Sequence, residues 1–155
     1  QVADAVSIEY VIREAIDECR INAENRKIDV TYNDKSNSQV LGDRDQLIMA
    51  VHNLIENAIN YSPEGTKVAI TCKNHDGIVD ISVTDQGIGI ADTEIDRIFE
   101  RFYRVDNSRN RDTGGSGLGL SIVSTLVSLH QGTVKALETP GGGATFRVEL
   151  PRTQA

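Results

Sequence analysis

Four polar residues recur at helical spacing in the middle of the chain, and their side chains could hold a metal ion. Asn53, Glu56, Asn57 and Asn60 fall at positions i, i+3, i+4 and i+7, so they share one face of a helix whose other face is apolar. Asparagine is a mediocre helix former, and three on one stripe cost helix stability without filling a core. One interpretation is a solvated polar face. The other is a set of carboxamide and carboxylate oxygens directed at a hydrated Mg²⁺, which takes few protein oxygens when phosphates supply the rest.

Two glycine-containing segments follow, and each could approach a nucleotide. Asp85-Gln86-Gly87-Ile88-Gly89 places an acid and alternating glycines after a strand-like run, which is also typical of a simple tight turn. Gly114-Gly115-Ser116-Gly117-Leu118-Gly119-Leu120 precedes a helix, where backbone N–H groups can bind an anion. The second segment lacks the Gly-Lys-Ser/Thr of a Walker A loop, and no strand runs directly into it as in a Rossmann fold.

An arginine-rich segment lies between the two glycine segments. Residues 97–112 carry five arginines and three acids, a net charge of +2 in a chain whose net charge is −7. The arginines are Arg97, Arg101, Arg104, Arg109 and Arg111. They are either solvated loop charges or phosphate ligands, because arginine is suited to bidentate phosphate contacts.

Helices and strands alternate irregularly around these segments. Helices are predicted over residues 6–26, from Asp43 to about Tyr61, over about Thr93–Phe99, and from Gly117 or Leu118 to near His130. Strands are predicted over 28–33, at Val40–Leu41, over 67–73 and 78–84 as one hairpin, and over 133–137 and 144–150 as another. Asp43 is a good N-cap, and Gln46 would complete a capping box. The absence of a βαβ rhythm indicates an α+β fold with helices on one face of a mixed or antiparallel sheet.

Composition narrows the functional class. A length of 155 residues fits one domain, and the charge of −7 disfavours a nucleic-acid or membrane-surface binder. Cys19 and Cys72 are expected to be buried thiols in a reducing compartment. We find no signal peptide and no apolar run of membrane-spanning length, and the abrupt helical start suggests an excised fragment.

Taken in order, the motifs resemble a known family over essentially the whole chain. Residues 53–62, 85–90, 98–104 and 115–120 are similar to the N, G1, F and G2 boxes of sensor histidine kinases, within the GHKL ATPase superfamily. Residues 141–146 resemble a further glycine-rich signature. The PhoR-like, phosphate-responsive branch is the most similar in our reading. The resemblance implies a two-layer α/β sandwich of the GHKL (Bergerat) type, with about five mostly antiparallel strands covered by three helices.

The resemblance also implies a role for individual residues. Asn57 would be the Mg²⁺ ligand, Tyr61 the aromatic residue beside adenine and ribose, and Asp85 the acceptor of the adenine amino group. The catalytic candidates are Asn53, Glu56 and Arg104. The other ATP-binding candidates are Asn60, Gly87, Gly89, Ile90, Arg109, Arg111, Gly115, Gly117, Leu118, Gly119 and Thr145. The region of Arg104, Arg109 and Arg111 would form a mobile lid over the γ-phosphate, and Phe99 and Phe102 would contact a partner domain. Many relatives have Lys or Arg at position 60, so Asn60 is a departure.

The implied function is phosphoryl transfer from Mg²⁺-ATP to a histidine elsewhere. Hydrolases of the superfamily place a general-base Glu one turn before the metal Asn, whereas this chain has Asn53, and an amide cannot take a proton. Glu56 lies about 100° around the helix from Asn57 and is a poor substitute. A hydrolase and a nucleotide-binding regulatory module remain the alternatives. None of His52, His75 and His130 has the context of a family acceptor.

The expected partners follow from the same resemblance. They are the dimerisation and phosphoacceptor domain of the same parent and a downstream response regulator, with no nucleic acid. The parent is expected to be homodimeric and membrane-anchored, with this domain in the cytoplasm.

Overall fold

The computed structural model describes residues 4–33, 37–87, 99, 119–139 and 142–153. Three helices lie in these ranges: α1 (Ile8–Asn25), α2 (Arg44–Asn60) and α3 (Gly119–Leu129). The strands are β1 (Asp4–Ser7), β2 (Asp29–Tyr32), β3 (Gln39–Gly42), β4 (Lys67–His75), β5 (Ile78–Thr84), β6 (Thr133–Glu138) and β7 (Ala144–Pro151). Within the described ranges, no helix is both long and apolar enough to cross a membrane.

Five of the strands form one mixed sheet. Its order is β2-β4-β5-β7-β6, with β2 parallel to β4 and every other neighbouring pair antiparallel. The β4–β5 hairpin closes through Asp76 and Gly77, whose φ angles of 49° and 77° fit a turn that needs two left-handed residues. The α+β class, the mixed sheet of five strands and the three helices confirm the predicted fold.

The hydrophobic core lies between the sheet and the helices. Residues alternate along β5 and β7, so that every second side chain is buried, among them Ile81 and Phe146. Helix α2 packs between α1 and α3 and buries Leu54, Ile55 and Ile59. The helical layer therefore covers one face of the sheet and positions the polar edge of α2 above the end of β5.

The N-terminal strand is a difference from the sequence prediction. The apolar periodicity extended the first helix back to residue 6, but Asp4–Ser7 pairs antiparallel with Gln39–Gly42 as a separate two-stranded sheet. Ser7 caps α1 instead, because its Oγ accepts a hydrogen bond from the backbone N–H of Tyr10 at 3.2 Å. Helix α1 accordingly begins at Ile8.

The start of α2 is capped by two different elements. Asp43 accepts from the backbone N–H of Gln46 at 3.0 Å, as predicted. The reciprocal half of the predicted capping box is wrong, since the backbone N–H of Asp43 donates to Nε2 of His130 at 3.1 Å. Nδ1 of His130 lies 2.8 Å from the carbonyl oxygen of Leu126, which can only accept, so Nδ1 carries the proton. The end of α3 thereby fixes the first turn of α2.

Candidate functional site

Asp85 is a buried carboxylate at the point where β5 ends. Its exposed fraction is 3%, and its Oδ1 accepts backbone N–H groups of Gly87 at 2.9 Å and Ala144 at 3.0 Å. The backbone N–H of Asp85 donates in turn to the carbonyl of Ala144 at 2.9 Å. The side chain is therefore fixed between its own turn and the first residue of β7.

The charge state of Asp85 reflects two opposing effects. Burial raises the pKa of this carboxyl, and the hydrogen bonds from Gly87 and Ala144 oppose the rise. Both hydrogen bonds that the described residues give this side chain go to Oδ1. Oδ2 is thus left to accept a hydrogen bond from a ligand, and such a donor would offset the cost of burying the charge.

Two glycines let the backbone approach this carboxylate closely. A Cβ on Gly87 would overlap the carbonyl oxygen of Tyr61, which ends α2. Gly143 has φ +88°, and a Cβ there would overlap the carbonyl oxygen of Asp85. Side chains at these two positions would separate Asp85 from Tyr61 and from β7, so glycine is required for the site to close.

The second half of α2 presents two amides beside the start of α3. Asn53 donates from Nδ2 to the carbonyl oxygen of Met49 at 2.9 Å, which leaves its Oδ1 as an acceptor. A Cβ built on Gly119 would lie 3.6 Å from that Oδ1. The Asn57 side chain forms no hydrogen bond with any residue that the structure describes. Two amide oxygens one turn apart are suitable ligands for a hard cation such as Mg²⁺ or for its waters.

The predicted polar stripe is divided between two neighbours. Asn22 of α1 donates from Nδ2 to Oε1 of Glu56 and, at 3.2 Å, to Oδ1 of Asn60. Arg26 donates to the backbone carbonyl of Asn60 at 3.1 Å. The interpretation in which all four side chains are directed at one Mg²⁺ does not fit this arrangement, and Asn57 as the Mg²⁺ ligand stays a prediction. Glu56 and Asn60 bind α1, because the stripe spans enough of the helix circumference to reach two different partners.

Thr145 also lies elsewhere than its candidate role requires. Ala144 and Phe146 are buried in the core, so the intervening Thr145 points to the opposite face of the sheet from Asp85. Its hydroxyl lies 3.1 Å from that of Thr84 and 2.9 Å from that of Thr139. The structure does not bring Thr145 together with the buried carboxylate.

Phe99 is half-buried and packs against the hydrophobic core. Its ring lies edge-to-face on Phe146, with centroids 6.1 Å apart and an interplanar angle of 86°. If Phe99 also contacts a partner domain, as the resemblance implies, only the exposed part of its ring can make that contact.

Several candidates lie outside the described residues and remain sequence-based predictions. These are Gly89, Ile90, Phe102, Arg104, Arg109, Arg111, Gly115, Gly117 and Leu118, together with the short helix before Phe99.

Two groups at the site were not predicted from the sequence. The backbone N–H of Ala144 holds Asp85, and Asn22 holds Glu56 and Asn60. The run Gly141-Gly142-Gly143 before a strand was a signal for the first, since consecutive glycines permit a close backbone approach. A single asparagine on the exposed part of an amphipathic helix gave no comparable signal for the second.

Comparison with known proteins identifies the same architecture. Residues 42–154 match the family described as histidine kinase-, DNA gyrase B-, and HSP90-like ATPase. The sensor-like histidine kinase SenX3 of Mycolicibacterium smegmatis is 43% identical over 148 residues, which cover 96% of this chain and 38% of the relative. The chain thus spans less than two-fifths of that protein.

Solved structures agree with the sequence relatives. The mycobacterial sensor histidine kinase MprB superimposes with a TM-score of 0.84 at 31% identity, over 99% of this chain and 100% of that one. Full-length ShkA in complex with AMPPNP gives a TM-score of 0.83 at 31% identity, over 99% of this chain and 32% of that one. The resemblance to sensor histidine kinases is confirmed, and the chain belongs to the family of histidine kinase-, DNA gyrase B-, and HSP90-like ATPases.

Proposed function

We propose that this domain binds Mg²⁺-ATP and donates the γ-phosphoryl group to a histidine on a separate phosphoacceptor domain. The observation that carries the proposal is Asp85, a buried carboxylate with one oxygen held by two backbone N–H groups and the other left for a ligand. The naming of the relatives as sensor histidine kinases and the AMPPNP complex of ShkA support the same assignment.

Base recognition is assigned to Asp85 and the turn around Gly87. Oδ2 of Asp85 accepts a hydrogen bond from the amino group of adenine, and guanine has no donor at the same position. Close approach of Gly87 to the Tyr61 carbonyl keeps this turn against the end of α2. Burial of the carboxylate makes an unmatched base costly, since the charge would lose water without gaining a hydrogen bond.

Phosphate and metal binding is assigned to Asn53 and Asn57. When bound, ATP supplies the phosphoryl group and Mg²⁺ the charge that bridges its phosphates. Asn57 offers an amide whose oxygen competes with no hydrogen bond inside the described structure, and Asn53 offers its Oδ1 beside Gly119. Arg104, Arg109 and Arg111 are proposed to complete the γ-phosphate side.

Transfer to a histidine is favoured over hydrolysis because of Asn53. Asn53 lies one turn before Asn57, where a water-activating hydrolase requires a carboxylate, and an amide cannot accept the proton. Glu56 is hydrogen-bonded to Asn22 on the α1 side of the helix, so it does not replace that base.

The nucleophile is proposed to come from another domain. Of the chain's own histidines, His130 caps the start of α2 and His52 lies between α1 and α2. We therefore assign the acceptor to the dimerisation domain of the same homodimeric, membrane-anchored parent, with this domain in the cytoplasm and a response regulator downstream. The span of only 38% of SenX3 leaves room for those domains in a relative of that length.

The binding half of the proposal is tested by calorimetry. Asn57→Ala should abolish the dependence of ATP affinity on Mg²⁺. Asn60→Ala, on the same helix but hydrogen-bonded to Asn22, is the matched control and should retain it. Equal Mg²⁺ dependence in wild type and Asn57→Ala would remove Asn57 as the metal ligand.

The transfer half is tested with γ-labelled ATP. The isolated chain should bind ATP without labelling itself, and the parent's acceptor domain added in trans should take up acid-labile label slowly, because tethering normally supplies effective concentration. Turnover of ATP without the acceptor domain would identify a hydrolase. Binding without any transfer would identify a regulatory module.

A further inference from the structure

A second cluster of ligand-type side chains lies between α1 and α2. Glu18 and Cys19 come from α1, whereas His52 and Glu56 come from α2 at the i and i+4 spacing that places two side chains on one face. The nucleotide-site candidates Asn53 and Asn57 immediately follow His52 and Glu56 in sequence, so each lies about 100° around the helix from the cluster residue before it. The cluster is therefore separate from the proposed nucleotide site.

The distances within this cluster are close to those of a metal site. Nδ1 of His52 lies 3.6 Å from Sγ of Cys19 and 3.0 Å from Oε1 of Glu18. One ligand atom from each of Cys19, His52 and Glu56 can be chosen so that all lie within 4.8 Å of one another. Bond lengths of about 2.3 Å to sulfur and 2.0 Å to nitrogen in a tetrahedron give an S···N separation of about 3.5 Å. Nε2 of the same ring lies 3.7 Å from Oε2 of Glu56, so the imidazole contacts side chains of both helices.

The charges of the cluster favour a cation. Two carboxylates, Glu18 and Glu56, flank one imidazole, and among the described residues neither forms an ion pair with Lys or Arg. The comparable group His75, Asp80 and Glu149 on the open face of the sheet differs in this respect. There Arg147 Nε already lies 3.5 Å from Asp80 and supplies the positive charge.

Access and ligand softness narrow the identity of the ion. Cys19 is 1% exposed, whereas the side chains of His52 and Glu56 are 29% and 31% exposed, so the thiol is the inner ligand and the opposite side is open for entry. Sulfur and imidazole ligands together with carboxylates suit Zn²⁺ and not Mg²⁺ or Ca²⁺. We propose that Cys19, His52 and Glu56 bind Zn²⁺ and clamp α1 to α2.

Binding is coupled to loss of the thiol proton. Zn²⁺ forms the Zn–S bond as the S–H bond breaks, and the proton passes to the buffer. Affinity should therefore increase as pH rises.

The test uses the whole chain without nucleotide, titrated with Co²⁺ as a spectroscopic substitute and then with Zn²⁺. The expected result is a near-ultraviolet thiolate-to-cobalt band that saturates at one Co²⁺ per chain and disappears on adding Zn²⁺. Cys19→Ser should lose the band, and His52→Gln should weaken Zn²⁺ binding about tenfold or more. Cys72→Ser, which removes the other thiol, and His75→Asn, which removes the other cluster, should keep it. Circular dichroism checks the fold of each variant.

Three results would overturn the site. They are no thiolate band in the wild type, a band that persists in folded Cys19→Ser, or a band that is lost in Cys72→Ser. If Cys19→Ser does not fold, His52→Gln decides, because undiminished Zn²⁺ affinity in that variant also overturns the site. None of these measurements depends on ATP binding, so the Zn²⁺ site can be overturned while the proposed function stands.

Discussion

Replacing Asp85 with asparagine preserves the shape of the side chain while removing its charge. The hydrogen bonds from Gly87 and Ala144 both go to Oδ1, so the amide oxygen of the variant must occupy that position. The amide nitrogen is then forced to the position of Oδ2. A donor therefore replaces the acceptor that we assign to the adenine amino group.

The size of the effect follows from the exchange of one charged acceptor. A hydrogen bond to a charged group contributes ~1.5–3 kcal/mol, and 1.4 kcal/mol is a factor of ten in affinity. Asp85→Asn should therefore weaken ATP binding by roughly 10- to 150-fold. The preference for ATP over GTP should shrink as well, because guanine carries a carbonyl oxygen where adenine carries its amino group. Calorimetric titration with both nucleotides measures this.

The same variant, Asp85→Asn, should lose ATP affinity but gain free energy of unfolding at neutral pH. Burial raises the pKa of Asp85, so the folded state holds the proton more tightly than the unfolded state, whose value is about 3.9. Wild-type stability therefore falls as pH rises from that value through the higher folded pKa, and Asp85→Asn escapes this loss. Urea unfolding measures this: the free energy of unfolding of Asp85→Asn, relative to that of the wild type, should be higher at pH 8 than at pH 4.

The control for this experiment is Asp80→Asn. Asp80 pairs with Arg147 and lies on the face of the sheet opposite to Asp85. The ATP affinity of Asp80→Asn should therefore equal that of the wild type. Unchanged ATP affinity in folded Asp85→Asn, or equal weakening in Asp80→Asn, would show that Asp85 does not read the base.

The remaining predictions concern the supports of the site. Gly143→Ala should lower the free energy of unfolding by ~1–3 kcal/mol, because φ is +88° and the new Cβ would overlap the Asp85 carbonyl; normal stability in urea would contradict the close approach. His130→Ala should cost ~1 kcal/mol by removing the acceptor for the Asp43 N–H, and Gln131→Ala is the adjacent control that should cost less. Thr145→Val should leave ATP affinity within a few-fold of wild type, since its hydroxyl contacts Thr84 and Thr139 on the far face of the sheet; a loss as large as that of Asp85→Asn would show that this hydroxyl reaches the ligand.

Features determined by local sequence were the predictable part of the fold. Asp43 before an apolar periodicity predicted the start of α2. The segment Asn74-His75-Asp76-Gly77 between two β-rich runs predicted the β4–β5 hairpin, although β4 continues to His75 and leaves a turn of two residues. Asp85 before alternating glycines likewise predicted the strand-end carboxylate of the candidate site.

The features that the sequence did not reveal all depend on which element lies opposite in the fold. Glu56 and Asn60 are on the predicted helix face, but only the packing of α1 reveals Asn22 as their partner. Residues 4–7 carry too little alternation to be read as a strand until β3 provides the pairing edge. Thr145 and Ala144 are adjacent in sequence, and only the strand pleat decides which of them approaches Asp85. The periodicity of the sequence specifies the face of a helix or strand on which a side chain lies. Tertiary packing decides which residues that side chain contacts.

The position of β7 has a consequence for how the site is assembled during synthesis. The strand is the last of the strands that the structure describes, yet it lies inside the sheet between β5 and β6. Until it leaves the ribosome, β5 has an unpaired edge and β6 has no neighbour in the sheet. Asp85 is made some 59 residues before Ala144, whose N–H holds it. A chain that ends before residue 144 would therefore contain the motifs proposed to bind ATP but would lack the backbone N–H that holds Asp85.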